Sequence, residues 1–348
     1  MFFALLCLAF FSGCATTHYT YVEALYTQNV TNGTVLQNFS LDPLIEDQIL
    51  ALDPEHISEK DIKEVLSHAP APRIINIHGG IFPVYLAMKS FSKFLIGMGY
   101  PETKIRNPKN GDYSYSCYDS SEMIAGSIAW YYEKEGMRPM MVGHSQGGMQ
   151  AVKVLHDLAG TFGKDIPVWN PLTGQSEKRY SIIDPLTGCE LPVTGVQLSY
   201  ATAVGAGGLT RLLPNQWSML GKLRSIPDSV EEFTGFYIGL DFLGGDLLGF
   251  GPSNKYEPTG TAKVRNVRLP AGFAHTTVPA TKHLAESQEI RDWINNYQPT
   301  EEPKVTVTFQ SSSTNILWAA DVWHSIKKQW CLEVQSLIRA KRALKHVD

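Results

Sequence analysis

The chain has 348 residues, of which 43% are apolar and 18% charged, the balance of a globular protein rather than a disordered one. Its net charge of −4 gives no indication of a nucleic-acid partner. Beyond the N-terminus, no stretch reaches the ~18 continuous apolar residues that a membrane-spanning helix requires. These features predict a soluble body of the size of one α/β domain with insertions.

The first fourteen residues differ from the rest of the chain. Residues 1–11 are continuously apolar, and Ser12-Gly13-Cys14 follows. An apolar stretch of this length that ends in small residues is typical of a secretory signal peptide, the alternative being a buried N-terminal strand or helix. The pattern resembles a bacterial lipobox, which implies that Cys14 carries lipid after cleavage. We expect a lipid-anchored protein of the bacterial cell envelope, on the periplasmic side of the outer membrane.

Three further cysteines, Cys117, Cys189 and Cys331, belong to the predicted mature domain. Their wide spacing forms neither a disulfide framework nor a Cys-x-x-Cys or Cys/His pattern suited to zinc. The sequence indicates at most one disulfide bond and no metal site.

A polar extension, residues 15–71, precedes the region of regular apolar patterning, and the prolines at its end mark a boundary. Between residues 72 and 298, short apolar segments typical of buried parallel strands alternate with longer segments of helical periodicity. The predicted strands are residues 73–77, 113–118, 139–142, 195–204, 233–240 and 264–269, and the predicted helices are residues 85–98, 120–135, 149–158 and 284–297. This alternation predicts an α/β fold, with a mostly parallel sheet and helices on both faces.

One segment inside this region, residues 163–194, departs from the alternation. The sequence Pro-Leu-Thr-Gly occurs there at 171–174 and again at 185–188. Proline and a following Thr-Gly are residues that favour a β-turn. The two turns predict a β-hairpin insertion around residues 179–183.

Residues 299–348 form a C-terminal extension, with a predicted strand at 304–309 and a long helix at 313–346. The helix carries three tryptophans, and its basic residues concentrate toward the end. Such a composition suits either a membrane interface or a helix packed on the domain. We expect packing, with only the final basic turn free.

The sequence Gly143-His144-Ser145-Gln146-Gly147 follows a predicted strand and opens a predicted helix. A nucleophile elbow has this context, because a serine in a tight strand-to-helix turn presents its Oγ above the sheet. Small residues two positions before and after the serine avoid collision with neighbouring backbone. Ser145 is the predicted nucleophile, and an idle serine in a glycine-rich turn is the alternative.

His78-Gly79-Gly80-Ile81 comes immediately after the strand predicted at residues 73–77. Acyl transfer passes through a tetrahedral intermediate, whose oxyanion needs two N–H donors about 3 Å away. We expect the N–H of Gln146 to be one donor and the N–H of Gly80 the other, with Ile81 as the alternative. His78 is expected to brace this loop by hydrogen bonding.

These two motifs, their order and their spacing resemble the α/β-hydrolase family, and within it the bacterial lipases and esterases, over residues 72–297. The resemblance implies a triad in the chain order Ser, acid, His, with the acid after a late strand. Asp241 directly follows the strand predicted at residues 233–240 and is the expected acid, with Asp246 as the alternative. The non-catalytic interpretation is a solvated turn or, for both carboxylates together, a calcium-binding turn.

The resemblance also places the base after the last strand, where two histidines are found. His275 heads the loop directly after that strand, and His283 lies next to the helix predicted at residues 284–297. In lipase-like sequences the histidine heads a loop that leads into a terminal helix. His275 is therefore the expected base, and His283 is the alternative. His144, inside the elbow, is expected to pack rather than to act as the base.

Together the motifs and the resemblance predict a serine esterase or lipase that cleaves carboxylic esters through an acyl-enzyme, without a metal or organic cofactor. The expected partners are an ester or lipid substrate and a membrane, reached through the lipid anchor. Thioesterases, phospholipases and acyltransferases use the same triad, and elbow sequences do not separate them. A non-catalytic envelope lipoprotein, which uses the fold as a scaffold, is the alternative from a different class.

Overall fold

The computed structural model describes residues 35–206, 214–238, 241, 244, 254–270, 275–304 and 313–345. In chain order its strands are β1 (Ile74–His78), β2 (Tyr115–Ser116), β3 (Met140–His144), β4 (Trp169–Asn170), β5 (Gln175–Ser176), β6 (Ser181–Ile183), β7 (Glu190–Pro192), β8 (Leu198–Val204), β9 (Ser225–Ile226), β10 (Val230–Ile238), β11 (Glu257–Pro258) and β12 (Lys263–Leu269). The α-helices are α1 (Val35–Asn38), α2 (Pro43–Ala51), α3 (Glu59–Glu64), α4 (Phe82–Gly97), α5 (Ser121–Glu135), α6 (Gln146–Leu158), α7 (Gln288–Asn295) and α8 (Ser313–Lys345).

Six of these strands form one parallel sheet in the order β12-β10-β8-β3-β1-β2. Strand β3 is central, since Met141 lies opposite Ile75 of β1 and opposite Ala201 of β8. The predicted α/β fold with a mostly parallel sheet is confirmed. Because the six strands run the same way, the loops after β1, β3, β8, β10 and β12 leave from one edge of the sheet. In open α/β sheets, this is the edge at which ligands bind.

Alternate side chains of the strands enter two hydrophobic cores, one on each face of the sheet. On β1, Ile74 belongs to the core shared with α4, α7 and α8, whereas Ile75 and Ile77 belong to the core shared with α5 and α6. Both faces of the sheet are therefore covered by helices. This explains why the strands are short, continuously apolar segments in the sequence.

The insertion between α6 and β8 contains two hairpins, not the single hairpin expected around residues 179–183. Strand β4 pairs antiparallel with β5, and β6 pairs antiparallel with β7. Each Pro-Leu-Thr-Gly turn is closed in the same way, because the side chains of Asn170 and Asp184 accept from the N–H two residues on, at 2.9 and 2.8 Å. Gly174 and Gly188, with φ of 67° and 74°, adopt the left-handed conformation that favours glycine. The sequence repeat is thus a repeated turn.

The described part of the N-terminal extension is helical, which its polar composition did not predict. Helices α1 and α2 both contact α8. On α8, the buried Gln335 side chain donates to the backbone carbonyls of Ile49 and Leu52 at 2.9 and 3.1 Å. Lys327, also on α8, donates to the carbonyl of Ile57 at 2.6 Å. The extension is held mainly by α8, a long-range contact that no local pattern reveals.

Helix α8 is a core element that packs on the sheet. It contacts β8 and β12, and its three tryptophans, Trp318, Trp323 and Trp330, are fully buried. The ring of Trp318 lies 4.6 Å from that of Phe91 on α4. Burial of three large aromatic side chains stabilises this packing far more than helix propensity alone would.

Lys341 and Arg342, near the end of α8, are not free, so the expectation of a free basic turn was wrong for these two residues. Lys341 Nζ donates to the carbonyl of Leu36 at 2.5 Å, and Arg342 pairs with Glu46 at 3.0 Å. The basic residues find acceptors because the N-terminal extension packs against this end of the helix. Of the strand predicted at residues 304–309, only Lys304 lies within the described residues.

Several sequence predictions concern cysteines, metals and membranes. Cys117, Cys189 and Cys331 are all free thiols. Within the described ranges, no group of three or more His, Cys, Asp or Glu side chains could hold a metal ion. None of the described helices combines the length and the apolar character needed to cross a membrane. Cys14 and the predicted signal peptide lie outside the described residues.

Candidate active site

Ser145 lies at the turn between β3 and α6, with φ of 57° and ψ of −125°. Non-glycine residues rarely adopt this conformation, which costs about 1–3 kcal/mol and persists where the surroundings impose it. The neighbouring backbone lies close to this turn, since a Cβ on Gly143 would lie 2.5 Å from the carbonyl oxygen of Gly147. A Cβ on Gly147 would collide with the carbonyl oxygen of Ile77 on β1. The two flanking glycines are therefore what allows the tight turn.

The structure brings together three of the predicted site residues. Ser145 Oγ lies 2.9 Å from His275 Nε2, and His275 Nδ1 lies 2.7 Å from Asp241 Oδ2. His275 is 7% exposed and Asp241 is 6% exposed, so their contact is largely shielded from water. With the Nδ1 proton donated to the carboxylate, the neutral imidazole has Nε2 available to accept the serine proton.

The alternative residues are placed differently. His283 is exposed and lies in a short 3-10 helix, Lys282–Ala285, beyond the loop that starts at His275. Asp246 lies outside the described residues. Of the two histidines after the last strand, it is therefore His275 that the structure pairs with Ser145.

Two glycines adjoin the Asp241 carboxylate and the His275 imidazole. Asp241 Oδ1 accepts a 2.9 Å hydrogen bond from the N–H of Gly244, which leaves Oδ2 for the imidazole. Gly205 follows β8 with φ of 57°, and a Cβ there would lie 2.9 Å from His275 Nδ1 and 3.1 Å from Asp241 Oδ2. Any larger residue at 205 would push the imidazole and the carboxylate apart.

The predicted oxyanion loop follows β1 and lies against the serine. A Cβ on Gly79 would lie 2.8 Å from Ser145 Cβ, so this approach also depends on glycine. His78 Nδ1 donates to the carbonyl of Gly79 at 2.7 Å and thereby braces the loop, as expected. Burial lowers the pKa of His78, which favours the neutral ring.

The second glycine of the loop, Gly80, is enclosed by Tyr118 and Gln146. Tyr118 Oη donates to the carbonyl of Gly80 at 3.1 Å, and a Cβ on Gly80 would lie 2.5 Å from Gln146 Oε1. Gln146 is the first residue of α6, so its backbone N–H has no acceptor within the helix. The two predicted oxyanion donors thus belong to residues that lie side by side next to Ser145. Ile81, the alternative donor, is 46% exposed.

An exposed apolar surface adjoins this loop. We call it the apolar rim and define it as Ile81, Phe82, Leu86 and Tyr118, which are 46%, 62%, 47% and 58% exposed. Soluble proteins rarely leave several large apolar side chains together on the surface without a binding role. The rim begins at Ile81, directly beside Gly80, and therefore borders the predicted oxyanion hole.

Sequence reasoning did not single out Tyr118 or Gly205. Gly205 follows the predicted strand directly, and a glycine at the carboxyl end of a parallel strand is a signal that could have found it. Tyr118 ends a predicted strand, but nothing in its neighbours points to Gly80, which lies 38 residues earlier in the chain.

The chain was compared with protein-family models, with curated proteins and with solved structures, and no significant match was found.

Proposed function

We propose that this protein is a serine hydrolase of the α/β-hydrolase type, which cleaves carboxylic esters through an acyl-enzyme. The observation that carries the proposal is the unbroken hydrogen-bonded series from Ser145 Oγ through the His275 imidazole to the Asp241 carboxylate. Nucleophile, base and orienting acid in hydrogen-bond contact are the arrangement that activates a serine. The strained turn at Ser145 adds support, because a serine without a role has no need of such a backbone.

In acylation, Ser145 Oγ attacks the ester carbonyl carbon while His275 Nε2 takes the hydroxyl proton. The carbonyl electrons move to oxygen and form a tetrahedral oxyanion, which collapses and expels the alcohol with the proton returned by Nε2. Water then repeats the sequence on the acyl-enzyme and releases the acid. Asp241 keeps the imidazole in the required tautomer and stabilises the imidazolium that forms twice in the cycle.

The oxyanion is stabilised by the backbone N–H groups of Gly80 and Gln146 in this proposal. The N-terminus of α6 contributes its dipole at the same place. Two contacts hold the Gly80 peptide, one from His78 to the preceding carbonyl and one from Tyr118 to the Gly80 carbonyl. A donor that is fixed before the reaction needs no reorganisation when charge develops.

The substrate we propose is an ester with an apolar acyl group, such as a lipid. The apolar rim borders the oxyanion loop, so the acyl chain of a substrate attached at Ser145 has exposed apolar side chains within reach. Lipid attachment at Cys14 would bring the enzyme to the cell envelope, near substrates of this kind.

The test is hydrolysis of p-nitrophenyl esters from acetyl to palmitoyl, combined with labelling by a fluorophosphonate probe. The wild type should hydrolyse the esters and become labelled, and Ser145→Ala should lose labelling and nearly all turnover, since only the reacting hydroxyl is removed. Residual catalysis of up to ~10³-fold over water could persist from the oxyanion donors. Ser67→Ala, at an exposed serine, is the matched control and should behave as wild type.

Parallel assays with acyl thioesters, phospholipids and an alcohol acceptor separate the esterase from the other enzymes that use this triad. A labelled protein that turns over only thioesters would make the substrate a thioester and leave the proposed mechanism unchanged. A wild-type protein that is neither labelled nor active would refute the proposed function and favour a non-catalytic scaffold.

A further inference from the structure

The loop that starts at His275 is built of tight turns and leads into α7. The N–H of Ala280 donates to the carbonyl of Thr277, and the N–H of Thr281 donates to that of Pro279, both at 2.8 Å. A loop of this kind fixes its own curvature, but its position relative to Ser145 must come from contacts with other elements. His144 supplies one such contact at the start of the loop, to the carbonyl of His275.

A second contact comes from α8, which has no part in the catalytic series. Asn315, in the first turn of α8, directs its Nδ2 at three backbone carbonyls of the loop: Thr277 at 2.7 Å, Val278 at 3.2 Å and Ala280 at 3.4 Å. Asn315 is 5% exposed, so these hydrogen bonds are shielded from water. Buried amide donors of this kind specify one position of the groups that they join.

The helix that carries Asn315 is itself rigidly held. Further along α8, Trp318 is fully buried against Phe91 of α4, and Asp321 is bound by Arg265 of β12. Arg265 lies in the same sheet as β3, which leads into Ser145, and Phe91 lies on the helix that follows the Gly79-Gly80 loop. Asn315 is therefore connected to the body of the domain by a route that does not pass through the loop.

We infer that Asn315 is a positioning residue for the catalytic base: it holds the loop so that His275 Nε2 lies within reach of Ser145 Oγ. The inference rests on the proposed function, in which His275 takes the serine proton. It gives the C-terminal helix a role in the reaction and not only in stability. A displacement of about 1 Å at a reacting group can cost about 100-fold in rate, so loss of these contacts should be visible in turnover.

The experiment compares Asn315→Leu with Gln335→Leu. Gln335 lies on the same helix, is also buried, and also donates through a side-chain amide to backbone carbonyls, but those carbonyls belong to the N-terminal extension. Both substitutions remove an amide donor and replace it with an apolar side chain of similar size. They should lower the melting temperature by similar amounts, and activity is measured well below both transitions.

For Asn315→Leu, kcat should fall on the order of 10- to 100-fold with little change in KM, because substrate binding does not involve this loop contact. The rate of fluorophosphonate labelling should fall in parallel. Gln335→Leu should keep the wild-type kcat per folded molecule. Asn315→Gln, which retains the amide donor, should recover part of the lost turnover. Wild-type kcat in Asn315→Leu, with a lowered melting temperature only, would overturn the inference.

Hydrogen exchange gives a readout that does not depend on catalysis. Asn315→Leu should speed exchange at the backbone amides of residues 280, 281 and 284, whereas Gln335→Leu should speed it in residues 49–52. Unchanged exchange at residues 280–284 in Asn315→Leu would refute the positioning contact. A wild type without labelling or activity would refute the proposed function instead, so the two failures are distinguishable.

Discussion

His144 Nε2 donates a 2.6 Å hydrogen bond to the backbone carbonyl of His275. The two imidazole rings lie 5.5 Å apart, and His144 is completely buried. Burial, together with the neighbouring His275, lowers the pKa of His144 to about 3. His144 is therefore a neutral donor near pH 7. The residue before Ser145 thus helps to fix the backbone of His275.

The lowered pKa of His144 predicts that the free energy of unfolding decreases as the pH falls. Below the ordinary pKa of about 6.5, the unfolded chain binds a proton at this residue, whereas the native protein does not until the pH approaches 3. The contribution of neutral His144 to stability is therefore complete above pH 6.5 and is lost as the pH falls from 6.5 toward 3. Its slope is at most ~1.4 kcal/mol per pH unit.

His144→Gln keeps an N–H donor near the Nε2 position but cannot titrate. Its free energy of unfolding should therefore fall less steeply with decreasing pH than that of the wild type, which urea unfolding between about pH 7 and pH 4 measures. His144→Leu also loses the donor and should show the same flattened slope, with a lower kcat than His144→Gln. Equal slopes in the wild type and both variants would contradict this account.

The two histidines after the last strand should differ sharply in their effect on catalysis. His275→Ala should reduce kcat about as much as Ser145→Ala, because the serine loses the acceptor for its proton. His283→Ala should be mild, since that side chain is exposed in the 3-10 helix. Steady-state kinetics of the two purified variants decides between them, and a larger loss of kcat in His283→Ala would identify His283 as the base.

Asp241→Asn should cost more turnover than Asp246→Asn. The neutral amide can present its NH₂ group to Nδ1 and carries no charge, so the imidazole loses the required tautomer and the charge that stabilises the imidazolium. A loss on the order of 10³- to 10⁴-fold in kcat is expected for a triad of this kind. The measurement is kcat and KM for one p-nitrophenyl ester. The reverse order would reassign the acid without changing the reaction class.

The contact between α8 and the sheet predicts that removal of one charge of an ion pair costs more stability than removal of both. Arg265 and Asp321 form a two-point ion pair at 2.8 and 2.5 Å, with Asp321 fully buried. Asp321→Ala should lower the free energy of unfolding by about 3–5 kcal/mol, because the guanidinium loses its counter-charge. The double variant Arg265→Met/Asp321→Leu removes both charges and should be more stable than the single variant in urea. A less stable double variant would argue against this explanation.

The six strands of the central sheet, helices α4 to α8 and both loop motifs could be predicted from the sequence. These features are local, because a buried parallel strand is a short apolar segment and an elbow needs small residues two positions from the serine. The approach of Gly143 to Gly147 follows from such local spacing, whereas the approach of Gly79 to Ser145 depends on the pairing of β1 with β3. The same reasoning found the two hairpin turns, although it counted them as one hairpin.

Which distant residues meet depends on how the elements pack in three dimensions. Ser145 and His275 are 130 residues apart, and Asp241 and His275 are 34 apart, so spacing alone left His283 and Asp246 open. Local patterns also gave no signal for Asn315, because an asparagine near the start of an amphipathic helix has the same sequence context whether it faces water or a loop. The partner of a buried polar group is set by how helices pack on the sheet, and that packing depends on the whole chain.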